Sequence, residues 1–266
     1  MAMKKRTKGN ITAPSLPGKD MLAEVNNNEA GNIYNSLFAK NRKVEYDNKD
    51  IALVNIRTNP DNQIFRAMDD DEDIRILAED IKRNGLMHNL VVFPEQEEGS
   101  TVYVLLSGER RFRALNYLQE KGDATWNIVN CNVVTTPLTE NEKKVLLYSA
   151  NLQVRGGFSD EAIRRQAIAE FITCLQREPY NMSREEALNA TKIVSTVNPR
   201  TIERDARIEE KLKGKLKTLL NDKFLTRSEC ETYLRFEADK QDEIANRFEK
   251  LQAVDCHSDD TESAGK

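Results

Sequence analysis

Apolar and polar positions change period several times in the first half of the chain, and each change marks an element. Ile51-Ala52-Leu53-Val54-Asn55-Ile56 reads as a strand, and Asn59-Pro60-Asp61-Asn62 as a turn. The acidic run Asp69–Asp73 leads into a helix with Ile74, Leu77 and Ile81 on one face, where negative charge suits a helix start. Asn84-Gly85 ends that helix, with Gly85 placed as a left-handed cap. Leu90-Val91-Val92-Phe93 is a short buried strand. A Glu-rich hairpin loop at 95–100 then leads to a second strand, Thr101–Leu106. From Glu109 to Glu120, Phe112, Leu115 and Leu118 recur at helical spacing. Asn127–Val134 alternates, with Val129, Cys131 and Val133 on one side and Asn130 and Asn132 on the other, as in a half-solvated strand. This order predicts a compact mixed α/β domain over residues 48–137.

After Thr139 the pattern is helical throughout. Thr139-Glu140-Asn141-Glu142 opens one helix, Ser159-Asp160-Glu161-Ala162 a second and Ser183-Arg184-Glu185-Glu186 a third. Asn198-Pro199 restarts a fourth after a short turn, with Asn as cap and Pro at the first helical position. Two further helices are expected at about 226–236 and 239–252. Residues 138–252 thus read as an all-α domain, giving an α+β chain, with tails expected to be disordered at 1–47 and 253–266.

Composition narrows the class. The chain has 266 residues, 39% hydrophobic and 32% charged, with a net charge of -4. No apolar run approaches the roughly 20 residues of a membrane span. Cys131, Cys174, Cys230 and Cys256 lie far apart, without a CxxC pair, and neither His88 nor His257 forms a metal-ligand pattern with them. Reduced thiols in a cytoplasmic protein without a zinc site are expected.

Two stretches carry chemistry. Ser107-Gly108-Glu109-Arg110-Arg111-Phe112-Arg113-Ala114 sits where a strand turns into a helix. Backbone N–H groups, the helix N-terminus and three arginines there suit a polyanion such as a nucleoside triphosphate. A solvated basic helix face explains the same spacing, except at Arg111, which falls near the buried stripe and needs a phosphate or a carboxylate as partner. The second stretch is 183–210, two helices across a tight turn, which fits a helix-turn-helix. Arg200, Arg204 and Arg207 share one face of its second helix, beside Thr201. From Lys192 to Arg227 ten Lys or Arg oppose five Asp or Glu, which suits phosphate contact; a helical hairpin with a solvated basic face is the alternative.

Gly108-Glu109-Arg110-Arg111-Phe112-Arg113-Ala114 resembles the GERRxRA box of the ParB family of DNA-partition proteins. Asn59-Pro60 with Gln63 and Arg66 resembles the family's early box, Leu77–Val92 its helix-Gly-strand element, and Asn151-Leu152-Gln153 its ENxQR box; the likeness covers roughly residues 50–250. It implies a ParB/sulfiredoxin-like nucleotide-binding domain followed by a helix-turn-helix domain, acting as a CTP-gated DNA clamp in plasmid, mobile-element or chromosome segregation. It also implies CTP and Mg²⁺ as cofactors, double-stranded DNA and a second copy as partners, and a nucleoid- or plasmid-associated location. Ser107, Gly108, Glu109, Arg110, Arg111 and Arg113 would face the triphosphate, and Gly85, Leu86 and His88 the base. Asn151 and Gln153 would complete the phosphate region, with Asn151 at the metal. Arg200, Thr201, Arg204 and Arg207 would face DNA, and Lys4, Lys5, Arg6 and Lys8 a ParA-type ATPase.

The chain departs from that pattern at Ala150, where the family has Glu, so at most weak CTPase activity is expected. Val154 replaces the family's Arg, and His88-Asn89 stands for Gln-Pro. After residue 252 only a tail is expected, short of the family's C-terminal dimerisation domain, which suggests a diverged plasmid or mobile-element relative. Two alternatives remain: a transcriptional regulator with a degenerate, ligand-free first domain, and an enzyme of the sulfiredoxin or serine-kinase type. Sulfiredoxin chemistry would need a Cys beside the arginines, and none is near them in sequence.

Overall fold

The computed structural model describes residues 44–66, 70–154, 158, 160–248 and 250. The basic tip Lys4–Lys8, the short apolar piece at 33–38, Arg155, Ser159, Cys256 and the acidic tail lie outside the described residues.

Five strands form one mixed sheet in the order β1-β5-β3-β4-β2. They are β1 (Tyr46–Ala52), β2 (Ile56–Arg57), β3 (Leu90–Glu97), β4 (Ser100–Ser107) and β5 (Ile128–Val134). β1 runs antiparallel to β5 and β3 antiparallel to β4; β5 lies parallel to β3, and β2 parallel to β4. The first strand begins before the expected Ile51 and stops at Ala52, because a 3-10 turn at Leu53–Asn55 buries Leu53 and turns Val54 outward. The hairpin expected at 95–100 forms with a tighter turn, the strands reaching Glu97 and restarting at Ser100. Glu98 (φ 47°) and Gly99 (φ 84°) both take positive φ, the geometry that matches strand twist and lets pairing continue to Glu97↔Ser100.

One sheet face is covered by α2 (Asp71–Asn84) and α3 (Glu109–Glu120), which follow a single short turn, α1 (Gln63–Arg66). Ile74, Ala78 and Ile81 of α2 meet Phe112, Leu115 and Leu118 of α3 over Leu90, Val92, Leu105 and Val129. On the opposite face Phe93, Val104, Leu106 and Val134 join Phe65 in a core shared with the helices that follow. β4 and β5 are therefore buried on both sides, which explains the unbroken apolar run at 104–106 and the burial of Asn132, expected to face solvent.

The helical part comprises α4 (Glu140–Val154), α5 (Glu161–Gln176), α6 (Arg184–Val194), α7 (Pro199–Lys211), α8 (Gly214–Asn221) and α9 (Arg227–Tyr233), then a helix over 238–248. Side-chain caps form where the sequence places them: Asp160 accepts from Ala162 and Ile163, Ser183 and Glu186 form a reciprocal capping box, and Asn198 accepts from Arg200. α8 was not expected; Leu216, Leu219 and Leu220 bury in a separate small core with Ile208, Leu212, Leu225, Cys230 and Ala245. Cys131, Cys174 and Cys230 are buried thiols, each pushed up by burial, to about 12, 11 and 11. Among the described residues no helix is long and apolar enough to cross a membrane.

Between the two helical cores lies an ion network. Arg164 of α5 donates to the fully buried Asp205 of α7 at 2.7 Å, and Arg165 donates to Asn221 at 2.6 Å and lies 3.5 Å from Glu209. Arg227 of α9 bridges Glu161 at 2.7 Å and Asp205 at 3.8 Å. Removing one partner of a buried pair strands the other charge. Arg164→Ala is expected to lower unfolding stability by about 3 kcal/mol. Asp205→Asn in the same chain should recover part of that loss in denaturant titration.

Candidate nucleotide site and nucleic-acid interface

α3 begins at Gly108, whose φ of +105° suits glycine, and a Cβ there would meet Leu90 Cδ2 at 2.7 Å. No other residue allows the strand to turn into the helix this close to β3. The turn points Glu109 inward, where it is buried, and leaves Arg110 exposed and Arg111 and Arg113 half-buried.

Glu109 is where separate segments meet. Arg66 Nη2 of α1 lies 2.9 Å from Glu109 Oε1 as an ion pair, yet neither carboxylate oxygen receives a well-aligned hydrogen bond. Burial pushes its pKa above the usual glutamate range; the charges of Arg66 and Arg113 and the Asn62 amide pull the other way without reversing the shift. Asn62 is buried and joins α4 to the cluster through Asn151, whose Nδ2 is 3.4 Å from Asn62 Oδ1 and also donates to Leu147 O at 2.9 Å. Gln153 stands apart from this cluster, with its amide oxygen buried and without a donor among the described residues.

The three arginines play different parts. Arg111 Nη1 donates to the carbonyls of His88, at 2.5 Å, and Asn89, at 2.9 Å. These two bonds to backbone carbonyls pin the 85–89 loop against α3. Arg113 Nη2 donates to Asp71 at 3.0 Å, and Arg110 Nη2 lies 3.8 Å from Asp73. The acidic start of α2 thus faces the arginine helix, a pairing that sequence spacing did not reveal. Ser107 is half-buried opposite Val91, where β3 has a register shift.

In the 85–89 loop, Gly85 caps α2 through N–H to Ile81 O at 2.8 Å. Its φ of 81° is positive as expected, but its ψ of 173° lies outside the left-handed helical region, so the chain leaves extended, toward β3. Leu86 packs into the core under α2 and α3, while Met87 and the His88 side chain are exposed. Asn89 donates to Asn130 at 2.7 Å, and Asn130 to Asp50 at 2.9 Å, tying the loop to β5 and β1.

The second candidate region is as expected in outline. α6 and α7 are joined by residues 195–198, and Ile202 and Ala206 pack α7 inward. The Thr196 N–H in that turn donates to Leu152 O at 3.3 Å, one residue from Asn151. Arg200 and Arg207 are exposed and Thr201 half-buried, whereas Arg204 turns toward α9, 2.7 Å from Glu231 and 3.2 Å from Ser228.

Residues 37–142 match the family model of the ParB N-terminal domain. The chain carries a ParB N-terminal domain. No curated protein matches the chain. Among solved structures it is similar to a C-terminally truncated chromosome-partitioning protein ParB from Caulobacter crescentus complexed with CTP-gamma-S. That likeness has 19% identity, 76% of this chain and 98% of the other covered, and a TM-score of 0.33. The same protein complexed to the centromeric parS site gives 15%, 75%, 89% and 0.30. A pNOB8-like ParB N-domain gives 11%, 85%, 98% and 0.42. These whole-chain superpositions are loose, and the family assignment rests on the matched domain.

Within the ParB domain, Asn62 is the residue that sequence reasoning passed over, having been read only as part of a turn. No sequence signal marked it, because the burial of Glu109 that calls for a partner is set by the fold. Two outcomes follow. Gly108→Ala should cost at least about 2 kcal/mol in unfolding experiments, from its φ and the Leu90 clash. For Glu109, a raised folded-state pKa means that the charged form weakens the fold and that protonation relieves this. Wild type should therefore gain stability relative to Glu109→Gln as pH falls from neutral toward about 4.3, the ordinary Glu value.

Proposed function

We propose that the chain is a partition-type DNA-binding protein whose ParB domain binds CTP with Mg²⁺ and so gates its hold on double-stranded DNA. The observation that carries this reading is the convergence of four separated segments on the start of α3: Asn62 and Arg66, the 85–89 loop, the 107–113 box, and Asn151 of α4.

In this reading Arg110 and Arg113 exchange Asp73 and Asp71 for phosphate oxygens, which guanidinium groups bind in a bidentate fork. Arg111 holds the 85–89 loop in the shape that receives the base. The residues present fit Mg²⁺: the buried Glu109 carboxylate lacks well-aligned donors, and the side-chain oxygens of Asn62 and Asn151 stand in the same cluster. Those three would hold the metal, which supplies charge to the phosphates when bound. Ala150 offers no carboxylate to activate water, so the chain would be at most a weak CTPase. Arg200, Thr201, Arg204 and Arg207 of α7 would meet DNA, two copies would close the clamp, and Lys4–Lys8 would meet a ParA-type ATPase.

One observation favours a second reading, a regulator with a ligand-free domain: Arg110, Arg111 and Arg113 are all engaged by groups of the chain itself. Calorimetric titration with CTP, ATP and GTP in the presence of Mg²⁺ decides between them. Selective CTP binding is expected, weakened roughly tenfold or more by Arg110→Ala or Arg113→Ala and abolished by Arg111→Ala through release of the loop. No binding of any nucleotide would establish the second reading.

A further inference from the structure

The second helix of the helix-turn-helix carries no net charge: Arg200, Arg204, Arg207 and Lys211 are matched by Glu203, Asp205, Glu209 and Glu210. Its exposed cations are also engaged locally. Arg204 Nη2 donates to Glu231 Oε2 of α9 at 2.7 Å and to Ser228 Oγ at 3.2 Å, and Arg207 Nη2 lies 3.9 Å from the other Glu231 oxygen. Arg204 and Glu231 are each about one-third exposed, at 30% and 33%, so their pairing is partly desolvated and stronger than a surface contact. Next to it, Lys192 pairs with Glu203 at 2.5 Å, and Arg184 with Glu210.

A carboxylate that holds two arginines on a DNA-facing helix does two things. It withholds them from the phosphate backbone, which every DNA sequence offers alike. It also means that DNA gains these arginines only where its contacts outweigh their pairing with Glu231. We infer that Glu231 is a specificity-determining residue, restraining Arg204 and Arg207 from arbitrary DNA. This rests on the DNA-binding reading of α7. It places part of the DNA-recognition machinery on α9, outside the helix-turn-helix. Discrimination then comes from disfavouring wrong partners as much as from attracting the right one.

The test is fluorescence anisotropy of a short labelled duplex of arbitrary sequence, titrated with the full chain at several salt concentrations between about 50 and 200 mM. Wild type, Glu231→Gln, Arg204→Ala/Arg207→Ala and the triple variant are compared. Glu231→Gln is expected to bind roughly tenfold more tightly, with a salt slope steeper by about 0.9 for each arginine that gains a phosphate. The gain should vanish in the triple variant. Wild-type binding that Glu231→Gln leaves unchanged or weakens would overturn the inference and spare the DNA reading. A gain that persists without the two arginines would overturn it as well, since Glu231 would then act only by general repulsion. No binding by either wild type or Glu231→Gln would overturn the DNA-binding reading and the inference with it.

Discussion

The candidate site depends on one buried carboxylate. Glu109 is turned inward by the sharp start of α3 at Gly108, and a charge in that position has to be compensated. Compensation comes from three directions: Arg66 from the short turn before α2, Asn62 from the segment preceding it, and Asn151 from α4 through Asn62. The sheet domain and the first long helix are thus joined by polar contact as well as by apolar packing. Phe65, beside Arg66, sits in the core that α4, α5, α6 and α7 share with the sheet. A change at Glu109 is therefore felt on both sides of that junction.

Continuity extends further along α4. Asn151 belongs to the Glu109 cluster, and the next residue, Leu152, accepts a hydrogen bond from Thr196 in the turn between α6 and α7. α5 then fixes α7 from behind, with Arg164 on Asp205. The two regions that carry recognition chemistry are connected by short contacts between rigid elements rather than by a linker. Their surface arginines share a further property: each set is held by carboxylates of the same chain, Asp71 and Asp73 in one case and Glu231 in the other. Guanidinium groups held this way are ordered before any ligand arrives, and the ligand must displace a carboxylate to use them.

Much of this was legible in the sequence, because local rules agreed with the global fold. The small residue and glycine before three arginines marked the strand-to-helix turn, and the structure places Gly108 at positive φ there. The caps at Asp160, Ser183 and Asn198 formed where short polar side chains preceded apolar periodicity. What stayed hidden depends on contacts distant in sequence. The partners of Arg110 and Arg113 lie some 40 positions upstream, on a helix that only the fold brings alongside. Arg111 donates to the backbone carbonyls of His88 and Asn89, which carry no side-chain signature. α8 escaped because its three leucines alternate with lysines behind Gly214, so its helical stripe is too short to stand out. The pairing of Arg204 with Glu231 could not be read at all, since 27 residues and two turns separate them.

Hydrogen–deuterium exchange of the full chain, with and without CTP and Mg²⁺, tests most directly the claim that separated segments form one nucleotide site. The account predicts that residues 59–66, 85–89, 107–113 and the last turn of α4 gain protection together, at the same nucleotide concentration. Protection confined to one of these segments, or absent from all of them, would contradict it.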